Sequence, residues 1–181
     1  MTPALPPLIV INSASSAGGT TVARLLQKDL PDVRLLLGVD AFIDALPDWT
    51  ARGDVGLHFG ADGEVTVDAT YREREDTWYR ALAALAASGQ ALILDEVLLD
   101  GGKGQERLRA LFAETDTFWV GVRCDAEVAE AREAKRPDRI IGMARDQAER
   151  VHEGVVYDVV VDGALPPQES VDTILDALGV F

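Results

Sequence analysis

Apolar runs recur along this chain at intervals typical of a sheet whose strands are buried on both faces. Five runs rich in β-branched residues occupy positions 8–12, 33–40, 91–97, 118–124 and 157–162. They are continuous rather than alternating, as in parallel strands that are covered by helices on both sides. The pattern therefore predicts that these runs form a parallel sheet.

The segments between the runs repeat apolar residues with a helical period. They predict helices over 20–30, 69–87, 104–114, 126–134, 139–152 and 169–178. Alternation of strands and helices is characteristic of doubly wound α/β folds, in which ligands bind at the carboxyl ends of the strands. At 181 residues the chain is long enough for one such domain and short for two. We therefore expect a single domain over residues 1–181.

One segment has a different period. Residues 55–68 alternate apolar and polar positions on both sides of Gly60-Ala61-Asp62-Gly63, which predicts a β-hairpin inserted after the second strand. Such a hairpin could form one wall of a substrate pocket, or it could decorate the surface. The pattern alone leaves both interpretations open.

The first strand leads through a loop of small residues into a helix, which is the layout of a phosphate-binding loop. In the pattern G-x-x-x-x-G-K-[ST], Ser13 stands at the first glycine, Gly18 at the second and Thr20 at the hydroxyl, but Gly19 replaces the lysine. Backbone N–H groups and the positive end of a helix bind phosphate without a lysine, whose contribution falls mainly in the transition state. We expect the substitution to reduce turnover more than binding.

The residues predicted to contact phosphate run from the loop into the helix. They are Ser15, Ser16, Ala17, Gly18, Gly19, Thr20 and Thr21. Thr20 occupies the position whose hydroxyl binds Mg²⁺. The alternative is an ordinary turn without a ligand, in which the two threonines simply start a helix.

Two acidic residues end predicted strands at the edge where a ligand would bind. Asp40 could accept a proton from a substrate hydroxyl, or it could cap a helix that begins at Ala41. Asp95 follows four apolar residues and is a candidate to hold Mg²⁺, because hard cations prefer oxygen ligands. Otherwise its position requires a hydrogen-bond network or an exposed end of the sheet.

Basic side chains are concentrated in the segment REAKRPDR at 132–139. The cluster contains Arg132, Lys135, Arg136 and Arg139. Pro137 interrupts the helical spacing and predicts a lid-like segment over 132–142. Because the guanidinium group matches phosphate oxygens bidentately, the cluster is a candidate anion clamp. The alternative is a set of surface ion pairs with Glu130, Glu133 and Asp138.

The composition is acidic, which limits the classes of partner. The formal net charge is −14, from 31 acidic and 17 basic residues, and this opposes broad contact with nucleic-acid phosphates. No apolar run is long enough to span a membrane, and the first residues lack the basic region of a secretion signal, so we expect a cytoplasmic protein. The single cysteine, Cys124, excludes an internal disulfide. A homo-oligomer is compatible with the sequence.

Taken in order, these segments resemble the chloramphenicol phosphotransferase family, small antibiotic kinases with a phosphate-loop nucleotide-kinase fold. The sequence NSASSAGGT is similar to the family's N-G-G-S-S-A-G-K-S loop. The matching segments that follow are GVDAFIDALP, ILDEVLLDGG, WVGVRCD, AREAKRPDRIIGMARDQ and VHEGVVYDVVVD. The resemblance implies a three-layer fold with a five-stranded parallel sheet flanked by helices. It also implies ATP with Mg²⁺ as the donor and a small-molecule hydroxyl as the acceptor.

The resemblance also implies roles for individual residues. Asp40 falls at the general base and Thr20 at the magnesium-binding hydroxyl, while Arg136 and Arg139 fall at the lid arginines that steady the phosphates. Arg132 is expected to contact the nucleotide. The implied activity is the ATP-dependent phosphorylation of an antibiotic or related natural product.

The chain departs from the family in its loop, where Gly19 replaces the lysine and Ser13 and Ala14 replace two glycines. Lys103, Lys135 or the arginine clamp could supply the missing charge. The departures also leave open a homologue that binds nucleotide or substrate without transferring a phosphoryl group. A third possibility is recruitment of the same anion pocket to another reaction.

Overall fold

The computed structural model of the chain describes residues 4–47, 56–60, 62–135 and 141–180. The strands are β1 (Leu8–Ser13), β2 (Leu35–Gly38), β3 (Leu57–Phe59), β4 (Val65–Val67), β5 (Leu92–Glu96), β6 (Thr117–Arg123) and β7 (Val159–Asp162). The helices are α1 (Gly19–Asp29), α2 (Val39–Asp44), α3 (Ala69–Ala87), α4 (Gly102–Leu111), α5 (Ala126–Glu133), α6 (Met143–Arg150) and α7 (Pro167–Ala177).

Five of these strands form one parallel sheet in the order β2-β5-β1-β6-β7. Each of the five apolar runs contributes one strand, so the prediction of a five-stranded parallel sheet is confirmed. Every residue of the central strand β1 is buried, which explains why its run is continuous rather than alternating. The loop that follows β1 therefore emerges from the middle of the sheet.

Helices cover both faces of the sheet. Because successive side chains of a strand point to opposite faces, Ile9 and Ile11 pack in one core cluster and Leu8 and Val10 in another. The first cluster includes apolar residues of α1 and α7, and the second includes those of α3 and α4. The chain therefore has the three-layer arrangement that the resemblance implies.

The predicted hairpin is present as the antiparallel pair β3–β4, in which Leu57 lies opposite Val67. Its turn approaches the start of α6 so closely that a β-carbon added to Gly63 would overlap the backbone of Gly142. Arg150 of α6 also donates a hydrogen bond to the carbonyl of Val65, at 3.2 Å. These contacts fix the hairpin against the body of the protein.

The predicted second strand is too long, and this changes the setting of Asp40. Strand β2 ends at Gly38, and α2 begins at Val39. A β-carbon on Gly38 would lie 2.9 Å from the backbone nitrogen of Asp95, so only glycine allows this close approach of β2 to β5. Asp40 therefore lies in the first turn of α2 rather than at a strand end. The capping alternative is wrong, because Gly38 is the N-cap residue.

The predicted helix over 139–152 also begins later than expected. Helix α6 starts at Met143, after Gly142 in a left-handed conformation with φ of 100°. Positions 139 and 140 lie outside the described residues.

Of the helices that the structure describes, none combines the length and the apolar character needed to cross a bilayer.

Asn12 connects the carboxyl end of β1 to two distant segments. Its fully buried side chain donates hydrogen bonds to the carbonyl of Val151 at 2.8 Å and to the hydroxyl of Tyr157 at 2.6 Å. Its Oδ1 atom accepts a hydrogen bond from the N–H of Leu98 at 2.9 Å. A single buried amide thus positions the chain on either side of β1.

We expect Asn12→Ala to lower the free energy of unfolding by about 2–4 kcal/mol, because it leaves buried backbone groups without partners. Chemical denaturation monitored by circular dichroism measures the loss. Thr77→Ala, an exposed helix position, should change stability by less than about 0.5 kcal/mol. A similar small change for Asn12→Ala would contradict the structural role.

His152 gives stability a defined pH dependence. Burial, together with the positive charge of Arg123, lowers the pKa of His152 to about 4. Its Nδ1 atom lies 2.6 Å from the hydroxyl of Tyr157. Because the unfolded chain takes up this proton near pH 6.5 and the folded chain does not, the stabilising contribution is complete above about pH 6.5. It is lost as the pH falls from 6.5 towards 4.

His152→Gln should therefore make the free energy of unfolding fall less steeply between pH 6.5 and pH 4.5 than in the wild type. Urea denaturation at several pH values in this interval measures both slopes. Equal slopes for the two proteins would show that His152 does not titrate as described.

Candidate active site

A cleft of about 630 Å³ lies at the carboxyl ends of β1, β2 and β5. Its lining comes from the loop after β1, helix α2, the β3–β4 hairpin, the end of β5, and segments near α5, α6 and α7. This is the edge at which a doubly wound sheet binds its ligands. For each candidate residue that the structure describes, the question is therefore whether it lines this cleft.

The loop from Ser13 to Thr20 has the curved backbone of an anion-binding turn. Ser16 has a positive φ of 61°, and Gly18, the N-cap of α1, has a φ of 105°. Within the described residues, the N–H groups of Ser16, Gly18, Gly19 and Thr20 donate to no acceptor. They lie at the start of α1, where the helix dipole is positive. This geometry is suited to a bound anion.

Two serine hydroxyls of the loop are also without partners. Ser15 is only 8% exposed, and neither its Oγ atom nor that of Ser16 makes a hydrogen bond to any residue that the structure describes. Both residues line the cleft. Thr20 and Thr21 follow in the first turn of α1, where both are exposed to the same cleft. Neither threonine caps the helix, because Gly18 occupies that position.

The position of the missing lysine is filled by a neighbouring side chain. A β-carbon added to Gly19 would overlap the Oγ atom of Ser13 and would lie 2.7 Å from the Cβ atom of Ser13. It would lie 3.4 Å from Oδ1 of Asp95. Gly19, Ser13 and Asp95 therefore meet at one point of the cleft.

The two candidate carboxylates, Asp40 and Asp95, line the same cleft from different elements. Asp40 is exposed in the first turn of α2, and Asp95 is partly buried near the end of β5. The next residue, Glu96, points to the opposite face of the sheet, where it accepts a hydrogen bond from the Tyr79 hydroxyl at 2.6 Å. Burial raises the pKa of Glu96 well above its usual range. Glu96 is therefore a core residue.

The oxygen groups of Thr20 and Asp95 fit a magnesium ion that is shared with a phosphate ligand. Among the described residues, no group of three or more His, Cys, Asp or Glu side chains is arranged to hold a metal ion. Mg²⁺ commonly takes only one or two protein ligands and completes its shell with phosphate oxygens and water. The donor set therefore suits an ion that enters together with the phosphates.

Arg132 is the arginine of the basic cluster that the described structure places in the cleft. Its Nη1 atom donates to the carbonyl of Gly163 at 2.8 Å and lies 3.4 Å from the carbonyl of Ala17. No carboxylate among residues 4–47, 56–60, 62–135 and 141–180 forms an ion pair with it. Arg132 thus brings positive charge directly to the loop.

The remaining residues of the basic segment divide into two groups. Arg136 and Arg139, like Asp138, lie outside the described residues, so their roles stay predictions. Lys135 and Lys103 are exposed, and neither lines the cleft. The described residues therefore offer Arg132, rather than either of these lysines, as the cation beside the loop.

Glu130 and Glu133, the two described acids considered as ion-pair partners of the basic segment, pair with neither of its described bases, Arg132 and Lys135. Glu130 pairs bidentately with Arg145 on α6, through two contacts of 2.6 Å. Glu133 is buried, and its carboxylate accepts hydrogen bonds from the N–H groups of Gly142 and Ala144, each at 2.8 Å. Glu133 thereby supports the beginning of α6.

Gln147 is a functional candidate that sequence reasoning missed. Its side chain is 2% exposed, and its Oε1 atom accepts a hydrogen bond from the N–H of Ser15 at 2.8 Å. The available signal was its place on the apolar face of a helix, between Ala144 and Val151. A buried glutamine needs a partner, and here that partner is the loop.

One half of the cleft is apolar. Its wall contains Ile43, Leu57, Phe59, Val65, Leu99 and Met143. Tyr71 also lines this half, and its ring meets that of Phe42 edge-on with centroids 5.3 Å apart. Leu57, Phe59 and Val65 belong to the hairpin, so the interpretation of the hairpin as a pocket wall agrees with the structure. Asp40 and Asp44 are the acids of α2 that border this wall.

Comparison with known proteins gives a consistent result. The model of the family described as chloramphenicol phosphotransferase-like protein matches residues 7–179. A Mycobacterium tuberculosis H37Rv protein, provisionally named an O-phosphotransferase, is 28% identical over 176 residues, which cover 88% of this chain and 76% of that protein.

Solved kinases share the fold. A gluconokinase from Sinorhizobium meliloti 1021 is similar with a TM-score of 0.68 and 18% identity, covering 97% of this chain and 93% of that one. The M. tuberculosis APS kinase, solved with AMPPNP and APS, is similar with a TM-score of 0.63 and 14% identity, covering 97% and 99%. At these identities the likeness concerns the fold.

The contact between Gln147 and the loop can be tested with a matched pair of variants. We expect Gln147→Leu to lower the free energy of unfolding by about 1–3 kcal/mol, because the Ser15 N–H loses its acceptor. Amide hydrogen exchange of residues 14–18 should also accelerate.

Gln105→Leu is the matched control, since Gln105 is equally buried but bonds the backbone of Val156 instead. Gln105→Leu should lower the free energy of unfolding by a similar amount and leave amide hydrogen exchange in the loop unchanged. If both variants accelerate exchange at 14–18 to the same degree, Gln147 has no specific role there.

Proposed function

The chain belongs to the chloramphenicol phosphotransferase-like family and is a kinase-like phosphotransferase, and on this premise we propose the reaction that it catalyses. We propose that it transfers the terminal phosphoryl group of ATP to a hydroxyl of a small molecule with an apolar body, such as an antibiotic or a related natural product. The observation that carries the proposal is the loop of unpartnered N–H and hydroxyl groups that shares one cleft with Asp40.

The donor half of the cleft suits a nucleotide. The N–H groups of Ser16, Gly18, Gly19 and Thr20 provide hydrogen bonds for phosphate oxygens, and the dipole of α1 favours their negative charge. Arg132 contacts the carbonyl of Ala17 at 3.4 Å and supplies a guanidinium group. We assign Arg136 and Arg139 to the same phosphates, as the resemblance implies. An ATP analogue and an acceptor together occupy the APS kinase that shares this fold.

Thr20 and Asp95 are the residues that would hold Mg²⁺. Both present oxygen to the cleft beside the loop, and Asp95 lies against Gly19. A bound Mg²⁺ ion supplies positive charge that offsets the charge of the phosphates. Thr20 and Asp95 themselves orient the donor relative to α2.

Asp40 is the proposed general base. As the acceptor oxygen bonds to the terminal phosphorus and the bond from that phosphorus to the ADP oxygen breaks, the hydroxyl proton passes to the Asp40 carboxylate. In the first turn of α2 it lines the same cleft as the loop and the apolar wall. A base between donor and acceptor is what this reaction requires.

The apolar wall indicates the kind of acceptor. Side chains such as Phe59, Leu57 and Met143 bury hydrocarbon surface favourably but give no hydrogen bonds to a ring of hydroxyl groups. A polyol such as a free sugar would leave most of its hydroxyls unpaired against this wall. The pocket therefore favours an acceptor with one or a few hydroxyls on an apolar frame.

A second candidate function is nucleotide or substrate binding without phosphoryl transfer. It is favoured by the absence of the loop lysine, whose space Ser13 partly fills. Recruitment of the anion pocket to another reaction is a further possibility of the same kind. Binding of ATP without acceptor-dependent ADP release would support this second candidate.

The general base can be tested by acceptor-dependent ADP production with a panel of apolar alcohols and hydroxylated antibiotics. Asp40→Asn should reduce the rate on the order of 10²- to 10⁴-fold, because the proton acceptor is lost. ATP affinity, measured by calorimetry with Mg²⁺, should stay within about threefold, since Asp40 is assigned to the acceptor and not to the phosphates.

Asp44→Asn removes the other carboxylate of α2 and serves as the comparison. Its loss of activity should be far smaller, because Asp44 lies one turn further along α2 and is not assigned to the acceptor hydroxyl. Equal losses in both variants would mean that α2 contributes only negative charge, and retention of activity in Asp40→Asn would exclude Asp40 as the base.

A further inference from the structure

Two departures of the loop from the phosphate-binding pattern are in contact with each other. Ser13 replaces the first glycine and Gly19 replaces the lysine, six positions apart in sequence. In the folded loop, the hydroxymethyl group of Ser13 lies where the β-carbon of any residue at position 19 would be placed. The serine therefore occupies the space in which a lysine side chain would begin.

The hydroxyl of Ser13 belongs to a loop whose other polar groups are suited to binding a ligand. Ser13 is 5% exposed and lines the cleft. In the same loop, the buried Oγ atoms of Ser15 and Ser16 have no hydrogen-bond partner among the residues that the structure describes. Buried hydroxyls are rarely left without partners in a folded protein. Two such hydroxyls beside unpaired N–H groups point to a ligand that accepts hydrogen bonds.

We propose that Ser13 is a phosphate-binding residue and forms a compensating pair with Gly19. Its side chain fills the space opened by the loss of the lysine, and its hydroxyl donates a hydrogen bond to the same phosphates. The inference rests on the proposed function, because it assigns the loop to the phosphates of the donor. The hydroxyl replaces the hydrogen-bond donor of the lysine but not its positive charge. Among the described residues, Arg132 supplies a positive charge beside the loop.

The pair has a consequence for restoring the lysine. Gly19→Lys alone introduces a β-carbon that collides with Ser13, so the lysine cannot take its usual course through the loop. Removing the serine side chain at the same time opens that course. The two positions should therefore behave as one unit when they are substituted.

The first experiment measures ATP affinity by calorimetry in the presence of Mg²⁺. Ser13→Ala should bind ATP about tenfold more weakly than the wild type, because a hydrogen bond to a charged phosphate is lost. Ser88→Ala, which removes an exposed hydroxyl at the end of α3, should bind normally. If the wild type binds ATP and Ser13→Ala binds equally well, Ser13 is not a phosphate ligand and the proposed function is unaffected. If the wild type does not bind ATP, both proposals fail.

The second experiment tests the contact without reference to function. Gly19→Ala should lower Tm by on the order of 5 °C in the wild-type background, because its β-carbon overlaps Ser13. In the Ser13→Gly background, the same substitution should cost less than half as much. Gly104→Ala, whose β-carbon meets only Leu98 side-chain atoms at 3.5 Å or more and Asp100 at 4.0 Å, should show no such dependence. Equal penalties for Gly19→Ala in both backgrounds would overturn the pairing.

The third experiment restores the lysine. We expect the double variant Ser13→Gly/Gly19→Lys to bind ATP at least about tenfold more tightly than Gly19→Lys alone, because the loop lysine can then reach the phosphates. Circular dichroism shows whether each variant is folded. If Gly19→Lys does not fold, the Gly19→Ala variants of the second experiment decide whether Ser13 and position 19 overlap. Equal ATP affinities of the folded single and double variants would contradict the compensation.

Discussion

The candidate site depends on backbone N–H groups that the protein itself does not satisfy. Between Ser16 and Thr20, several amides have no acceptor among the described residues, and they lie at the positive end of α1. A buried or half-buried amide without a partner is unfavourable, and an anion supplies both the acceptors and the complementary charge. Neither contribution comes from a lysine side chain. The proposed phosphate binding therefore does not require that residue.

The shape of the loop is maintained by residues far away in sequence. Ser15 is bonded to Gln147, and the end of β1 is bonded through Asn12 to Leu98 and Val151. Glu133 in turn supports the start of α6, which carries Gln147. These hydrogen bonds connect the loop to the segments that flank the predicted lid.

Charge and polarity are distributed unevenly around the cleft. The chain carries a net charge of −14, yet Arg132 is placed at the loop without a described carboxylate partner. On the other side, Asp40 borders a wall of apolar side chains that includes Phe59 and Met143. One cleft thus combines anion-binding groups, a carboxylate and an apolar wall. This combination is suited to joining a phosphate donor to a hydrophobic alcohol. This arrangement, rather than the loop motif alone, supports the proposed substrate class.

The amino-acid sequence by itself determined the five strands of the sheet, the β3–β4 hairpin and the position of the phosphate-binding loop, because burial on one or both faces leaves a periodic pattern along the chain. It did not determine where β2 ends, since Gly38 is required by the backbone of Asp95 on a neighbouring strand. Likewise, the sequence places Gln147 on the apolar face of its helix but does not identify Ser15 as its partner, and Ser13 meets Gly19 only after the loop has curved. Tertiary structure decided these features because each is a contact between residues whose sequence neighbours give no sign of it.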